Sequence, residues 1–261
     1  MTKNFSNGDV YVGETNYRGE PHGKGEYRYH NGDVYRGDWV NCIRSGFGKY
    51  SRTDGSYYEG EWKNDKADGK GFYYINEKAC YDGEWKDDVR CGKGKMVYSD
   101  GVVYEGEWKD DVRCGKGTVY FSNGNSYKGE WKNDLMNGNG EFFFENGQRY
   151  KGKMKDDYFC GRGVMTFAED DVQGRISYEG EFVEDRFCGR GVMIYVDGTK
   201  YEGGWKDDVF FGKGEYMFSD GSGYSGNWKD MINADNVVSI VNGKITDKGK
   251  LVNGEFVPDK K

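Results

Sequence analysis

The segment Tyr104-Glu105-Gly106-Glu107-Trp108-Lys109-Asp110-Asp111, closed by Gly115-Lys116-Gly117, returns almost unchanged along nearly the whole chain. Its tyrosine recurs at Tyr35, Tyr58, Tyr81, Tyr104, Tyr127 and Tyr150, each 23 residues after the last, and after one step of 28 at Tyr178, Tyr201 and Tyr224. A looser copy begins at Tyr11, with one extra residue before Gly23-Lys24-Gly25. A fixed period of roughly 20–50 residues marks a chain that stacks one small unit many times instead of closing around a single core. Function then has to be sought on a long repetitive surface.

Within a copy, Tyr104, Gly106 and Trp108 alternate with Glu105, Glu107 and Lys109, the period of a strand with one buried face. Gly117-Thr118-Val119-Tyr120-Phe121 supplies a second alternating strand. Between copies stand Asn31-Gly32, Asp54-Gly55, Asp100-Gly101, Asn123-Gly124, Asn146-Gly147, Asp197-Gly198 and Asp220-Gly221. These are strong hairpin dipeptides, for which a two-residue turn with φ > 0 at both positions is expected. The spacing therefore predicts an all-β chain: a single-layer antiparallel meander of about ten hairpins, each advancing roughly 9–10 Å, into a twisted ribbon on the order of 85–95 Å long. The inward glycines either make room for rings or bend the strands. No apolar pattern of 3.6-residue period persists, so no helix is expected.

The string Tyr-x-Gly-x-Trp-Lys-(Asn/Asp)-x4-Gly-x-Gly with an Asn/Asp-Gly turn resembles the MORN repeat (membrane occupation and recognition nexus). The resemblance spans about residues 7–230. It implies an elongated open half-pipe whose aromatic residues line a concave groove, and a role as a scaffold, often at cytoskeletal or ciliary structures and at membranes. This chain carries cysteine where the family often has histidine before Gly-x-Gly. It also has Thr15, Met154 and Phe182 in the tryptophan place. Beyond Lys229 the period decays, and residues 231–261, with turns at Asn242-Gly243 and Asn253-Gly254, are expected to form one or two capping strands.

Composition removes several function classes. Two leucines, 22 tyrosines, 15 phenylalanines, 7 tryptophans and 43 glycines describe order built on aromatic packing, not the aromatic-poor signature of disorder. A net charge of −7 argues against a nucleic-acid partner, whose phosphates need a basic stripe. The N-terminal residues lack an apolar signal core, and no run approaches the roughly 20 apolar residues of a membrane span. A cytoplasmic protein is expected, with a cytoskeletal or ciliary place implied by the resemblance alone. Of six cysteines, Cys91, Cys114, Cys160 and Cys188 share one repeat position. That spacing exceeds the reach of about 7 Å for a disulfide, so free thiols are expected. Neither metal nor cofactor is expected, and no catalytic residue is assigned. Gly-x-Gly lacks the remainder of a phosphate-binding motif, and the two histidines, His22 and His30, have no nucleophile pattern beside them.

Two candidate surfaces remain. Tyr58, Trp62, Tyr81, Trp85, Tyr104, Trp108, Tyr127 and Trp131 form the central aromatic trough, where a peptide or helix of a protein partner would lie. Met136, Phe159, Phe187 and Phe210, with Phe211 adjacent, stand two residues before Gly-x-Gly and read as an apolar stripe for docking or homodimerisation. An alternative is a peripheral membrane adaptor binding anionic phospholipids weakly through Lys63, Lys86, Lys109, Lys132, Lys206 and Lys229. The insertion Ala168 to Ser177 holds Glu169-Asp170-Asp171, without the spacing of a calcium loop, and reads as a solvated turn.

Overall fold

In a computed structural model describing residues 1–77 and 79–260, the described residues form 23 strands of one open antiparallel sheet and no helix. Two compact units are present, Met1–Asn123 with Trp131–Asp134, and Gly124–Glu130 with Leu135–Lys261. In the first, strands from Thr2–Asn4 to Val112–Tyr120 pair with their chain neighbours in succession. In the second, the succession runs from Leu135–Phe143 to Glu255–Pro258. Three strands follow Trp228: Ala234–Val241, Lys244–Val252 and Glu255–Pro258.

One copy explains the rest. Strand Val103–Lys109 pairs with Val112–Tyr120, placing Gly106 opposite Gly117. The ring of Tyr104 lies across this glycine pair. A Cβ on Gly106 would stand 2.4 Å from the tyrosine hydroxyl and 2.6 Å from Gly117 Cα. The glycines thus make room for a ring, and the hydroxyl reaches past them to donate to the Glu107 carbonyl at 3.0 Å. Trp108 meets Tyr104 edge-on, centroids 5.2 Å apart at 90°, and its Nε1 donates to the Gly94 carbonyl of the preceding copy at 3.2 Å. Edge-to-face rings of this kind contribute roughly 0.5–1.5 kcal/mol beyond their buried area.

The turns differ from the expected type. At Asp100-Gly101 only the glycine has positive φ, 87°. The Gly101 amide donates to the Tyr98 carbonyl and the Tyr98 amide to Val102, the pattern of a type I turn closed by a glycine bulge. The doubly left-handed turn lies inside the copy instead, at Asp110 (φ 52°) and Asp111 (φ 65°), and likewise at Asp87-Asp88 and Asp207-Asp208. Aspartate and asparagine tolerate this region better than other non-glycine residues. Beyond that turn the register slips between Gly106 and Glu107. The Glu107 carboxylate closes the resulting bulge by accepting from the Lys116 amide at 3.0 Å.

The insertion is an ordered turn. Asp171 accepts the Arg175 guanidinium at 2.7 and 3.1 Å and the Arg175 amide at 2.9 Å, while that guanidinium covers Phe167 at 4.1 Å. Of its acidic run, Asp171 is engaged internally while Glu169 and Asp170 are exposed.

Two outcomes are expected. Gly106→Ala should lower stability by about 3 kcal/mol or more, read as a fall in the urea midpoint, because neither the ring nor the facing backbone can withdraw. The Arg175 contacts hold Asp171 down to about 2, below its ordinary carboxylate value. The insertion is accordingly held fully above about pH 4 and released as pH falls towards 2. The Arg175 amide resonance should stay constant above that range and titrate below it, and Asp171→Asn should remove the titration.

Candidate functional site

The aromatic side of the first unit is covered by the chain itself. Facing three of its tryptophans across the hairpin stands an arginine: Trp39 pairs with Arg44, Trp85 with Arg90 and Trp108 with Arg113. Each guanidinium reaches over the tryptophan of the following copy: Arg44 lies 4.2 Å from Trp62, Arg90 4.5 Å from Trp108 and Arg113 4.6 Å from Trp131. The second turn aspartate of that following copy holds the arginine. Asp111 accepts the Arg90 amide at 3.0 Å and Nε at 2.7 Å through its carboxylate, and Nη2 at 3.1 Å through its carbonyl. Asp65 and Asp134 repeat this for Arg44 and Arg113. Burial pushes the phenols of Tyr81 and Tyr104 far above their usual range, so they remain neutral hydrogen-bond donors.

The second unit fills the same place with apolar side chains. Phe159 stacks on Tyr150 at 3.9 Å, Phe187 on Tyr178 at 4.0 Å and Phe210 on Tyr201 at 3.6 Å. The turn aspartate still holds the backbone there, Asp157 accepting from the Met136 amide at 2.7 Å and Asp208 from the Phe187 amide at 2.8 Å. The exposed stripe expected of Met136, Phe159, Phe187 and Phe210 is corrected by this: all four are buried, and each of the three phenylalanines closes over the tyrosine of its own copy. Phe211 alone of the five is exposed, with the Lys206 ammonium 5.4 Å from its ring.

The expected trough changes for the same reason. Tyr81, Tyr104, Trp108, Tyr127 and Trp131 are buried, so most of the length has no open ring surface. The exception is at the third copy, where the arginine place holds Ala67, facing Trp62. With no long side chain there, Trp85 is only half-buried, and Tyr58 keeps 7% of its surface where Tyr35, Tyr81 and Tyr104 keep 0–1%. A cleft of about 520 Å³ opens over Tyr58, Trp62, Ala67, Tyr73 and Trp85, with Asp88 at its edge. Sequence reasoning did not single out Ala67. Its signal was a break in a column that from the second copy on otherwise reads Arg44, Arg90, Arg113 and then Met or Phe.

The opposite face is ionic. A shallow trough of about 760 Å³ runs between Lys70, Lys93, Lys95 and Lys116 and the carboxylates of Asp82, Glu84 and Glu105. In the lysine row, Lys86 is paired to Asp68 at 2.8 Å and Lys229 to Asp235 at 2.6 Å. All six cysteines are free, and burial raises the Cys91 and Cys114 thiols, which disfavours the reactive thiolate.

The profile described as MORN repeat matches residues 17–34, 35–57, 58–76, 81–103, 104–126, 127–149, 150–172, 178–200 and 201–223. Curated proteins give no match. Among solved structures, the chain is similar to the TCP10 domain of Danio rerio CPAP in complex with a peptide of Danio rerio STIL. The identity is 13%, covering 91% of this chain and 98% of that one, at a TM-score of 0.44. It is also similar to the TCP10c domain of Drosophila melanogaster Sas-4, at 14% identity over 82% of this chain and 96% of that one, TM-score 0.30. Likeness at this level assigns no partner.

Arg90→Ala should uncover Trp108 and cost about 1–2 kcal/mol, with a red-shifted tryptophan emission. Arg90→Lys should recover only a minor part of the loss, since an ammonium cannot both lie flat on the indole and fork to Asp111.

Proposed function

The chain belongs to the MORN repeat family, and on that premise we propose that it is a non-enzymatic scaffold holding a segment of a partner protein against its aromatic side. The observation that carries this reading is the cleft beside Ala67, where rings sealed elsewhere by the chain's own side chains stay accessible. Aromatic rings that are apolar in body and polar at the tip suit a peptide or helix, which brings both apolar and hydrogen-bonding groups. A cytoskeletal or ciliary setting follows from the family and from nothing else in the molecule. The membrane reading lacks a comparable observation, since carboxylates engage members of the lysine row. A homodimer through the apolar stripe loses its basis, because four of the five side chains are covered.

Proximity labelling in the native cell, followed by pull-down with variants, tests this. Tyr73→Ser and Trp85→Leu should reduce retention of a protein partner by roughly tenfold, while Glu105→Lys on the ionic face should leave it unchanged. Retention lost with Glu105→Lys and kept with the aromatic variants would overturn the reading. Flotation with anionic vesicles at low salt would favour the membrane adaptor instead.

A further inference from the structure

We infer that the cleft at Ala67 is a receptor for one arginine side chain of the partner protein, an inference that rests on the scaffold reading above. The chain supplies its own template. In each of the other three copies of the first unit that carry the capping aspartate and a tryptophan beyond it, an arginine occupies this place. It lies over the tyrosine of its own copy, as Arg90 does over Tyr81 at 5.7 Å, and over the tryptophan of the next, Trp108, at 4.5 Å. At the third copy the tyrosine is Tyr58, the next tryptophan is Trp85, and their rings are 5.4 Å apart and edge-on, as Tyr81 and Trp108 are at 5.5 Å. The receiving surfaces are therefore built as in the neighbouring copies, and only the guanidinium is missing.

The anchoring carboxylate is also in place. Asp88 accepts the Ala67 amide at 2.7 Å, just as Asp111 accepts the Arg90 amide. In the neighbouring copies that same aspartate also takes Nε and Nη2 of the arginine. At Asp88 the described residues offer no guanidinium for that role. The other cations lining the cleft are committed: Arg44 is forked to Asp65, and Arg52 donates to the Tyr73 hydroxyl at 2.6 Å. A guanidinium entering from outside would gain an indole face and a carboxylate together, the pairing an ammonium satisfies poorly. An aromatic guest is the rival occupant, since later copies use phenylalanine. Those copies belong to the second unit, however, and both copies flanking Ala67 use arginine.

The full chain, with its indole N–H resonances resolved by NMR, provides the test. Titration with ethylguanidinium should move the Trp85 resonance saturably while the buried tryptophans stay in place. Butylammonium and toluene should bind roughly tenfold more weakly. Ala67→Arg should fold, raise the thermal midpoint by filling the cleft in cis, and abolish the titration. Ala67→Phe closes the same space if the arginine variant does not fold. An unmoved Trp85 resonance, or toluene equal to ethylguanidinium, overturns the arginine assignment. In pull-down, Ala67→Arg should lose the partner that the wild-type chain retains. If the wild-type chain keeps a partner that Ala67→Arg also keeps, the arginine inference falls and the scaffold reading stands. If the wild-type chain retains no protein at all, the scaffold reading itself falls.

Discussion

A tyrosine ring laid flat across two facing glycines is the contact on which the molecule is built. A sheet of this kind must bury apolar surface without a second layer to bury it against. Removing both Cβ atoms beneath each tyrosine lets the ring descend onto the backbone, where Tyr104 becomes wholly inaccessible and its hydroxyl still finds a carbonyl. The next tryptophan then stands edge-on against that ring and donates back to the preceding copy, as Trp108 does to Gly94. The low leucine content follows from this, since aliphatic side chains would neither lie flat on a glycine pair nor carry a polar tip past it.

The surface over these rings is closed in two ways. Over Trp62, Trp108 and Trp131 the cover is a guanidinium, held by the aspartate of the following turn. From Met136 onward it is apolar, and the tryptophan place becomes Met154 and Phe182 before returning to Trp205 and Trp228. Phenylalanine stacked on tyrosine replaces the arginine, while the aspartate keeps its grip on the backbone amide. The aspartate has thus two roles that separate along the chain, one structural at each copy from Arg44 to Phe187 and one electrostatic only where arginine is present. Within the first unit, Ala67 is where the first persists without the second.

Much of this was legible in the residues. Tyrosine periodicity and alternation specified the strands, their order and the family, because both are local properties of a strand with one buried face. The turn type was misread, since Asn-Gly and Asp-Gly dominate expectation whereas the doubly left-handed turn uses Asp110-Asp111. The exposed stripe was misread because alternation marks a ring as facing one side without saying whether that side is covered. Phe159 and Phe210 are sealed by their own tyrosines, a contact across the hairpin that spacing alone cannot distinguish from an open surface. Ala67 escaped notice because an alanine among arginines looks like ordinary variation until the tryptophan it leaves bare is seen.

The carboxylate that secures Arg44, Arg90, Arg113, Phe159 or Phe187 comes from further along the chain, 21 residues on in the case of Arg90 and Asp111. During synthesis a hairpin therefore leaves the ribosome with its own loop still unsecured, and is completed only when its successor emerges. Assembly acquires a direction: every unit is finished by the one translated after it, and a ribosome stalled partway holds a nascent chain whose newest hairpin still lacks its clasp.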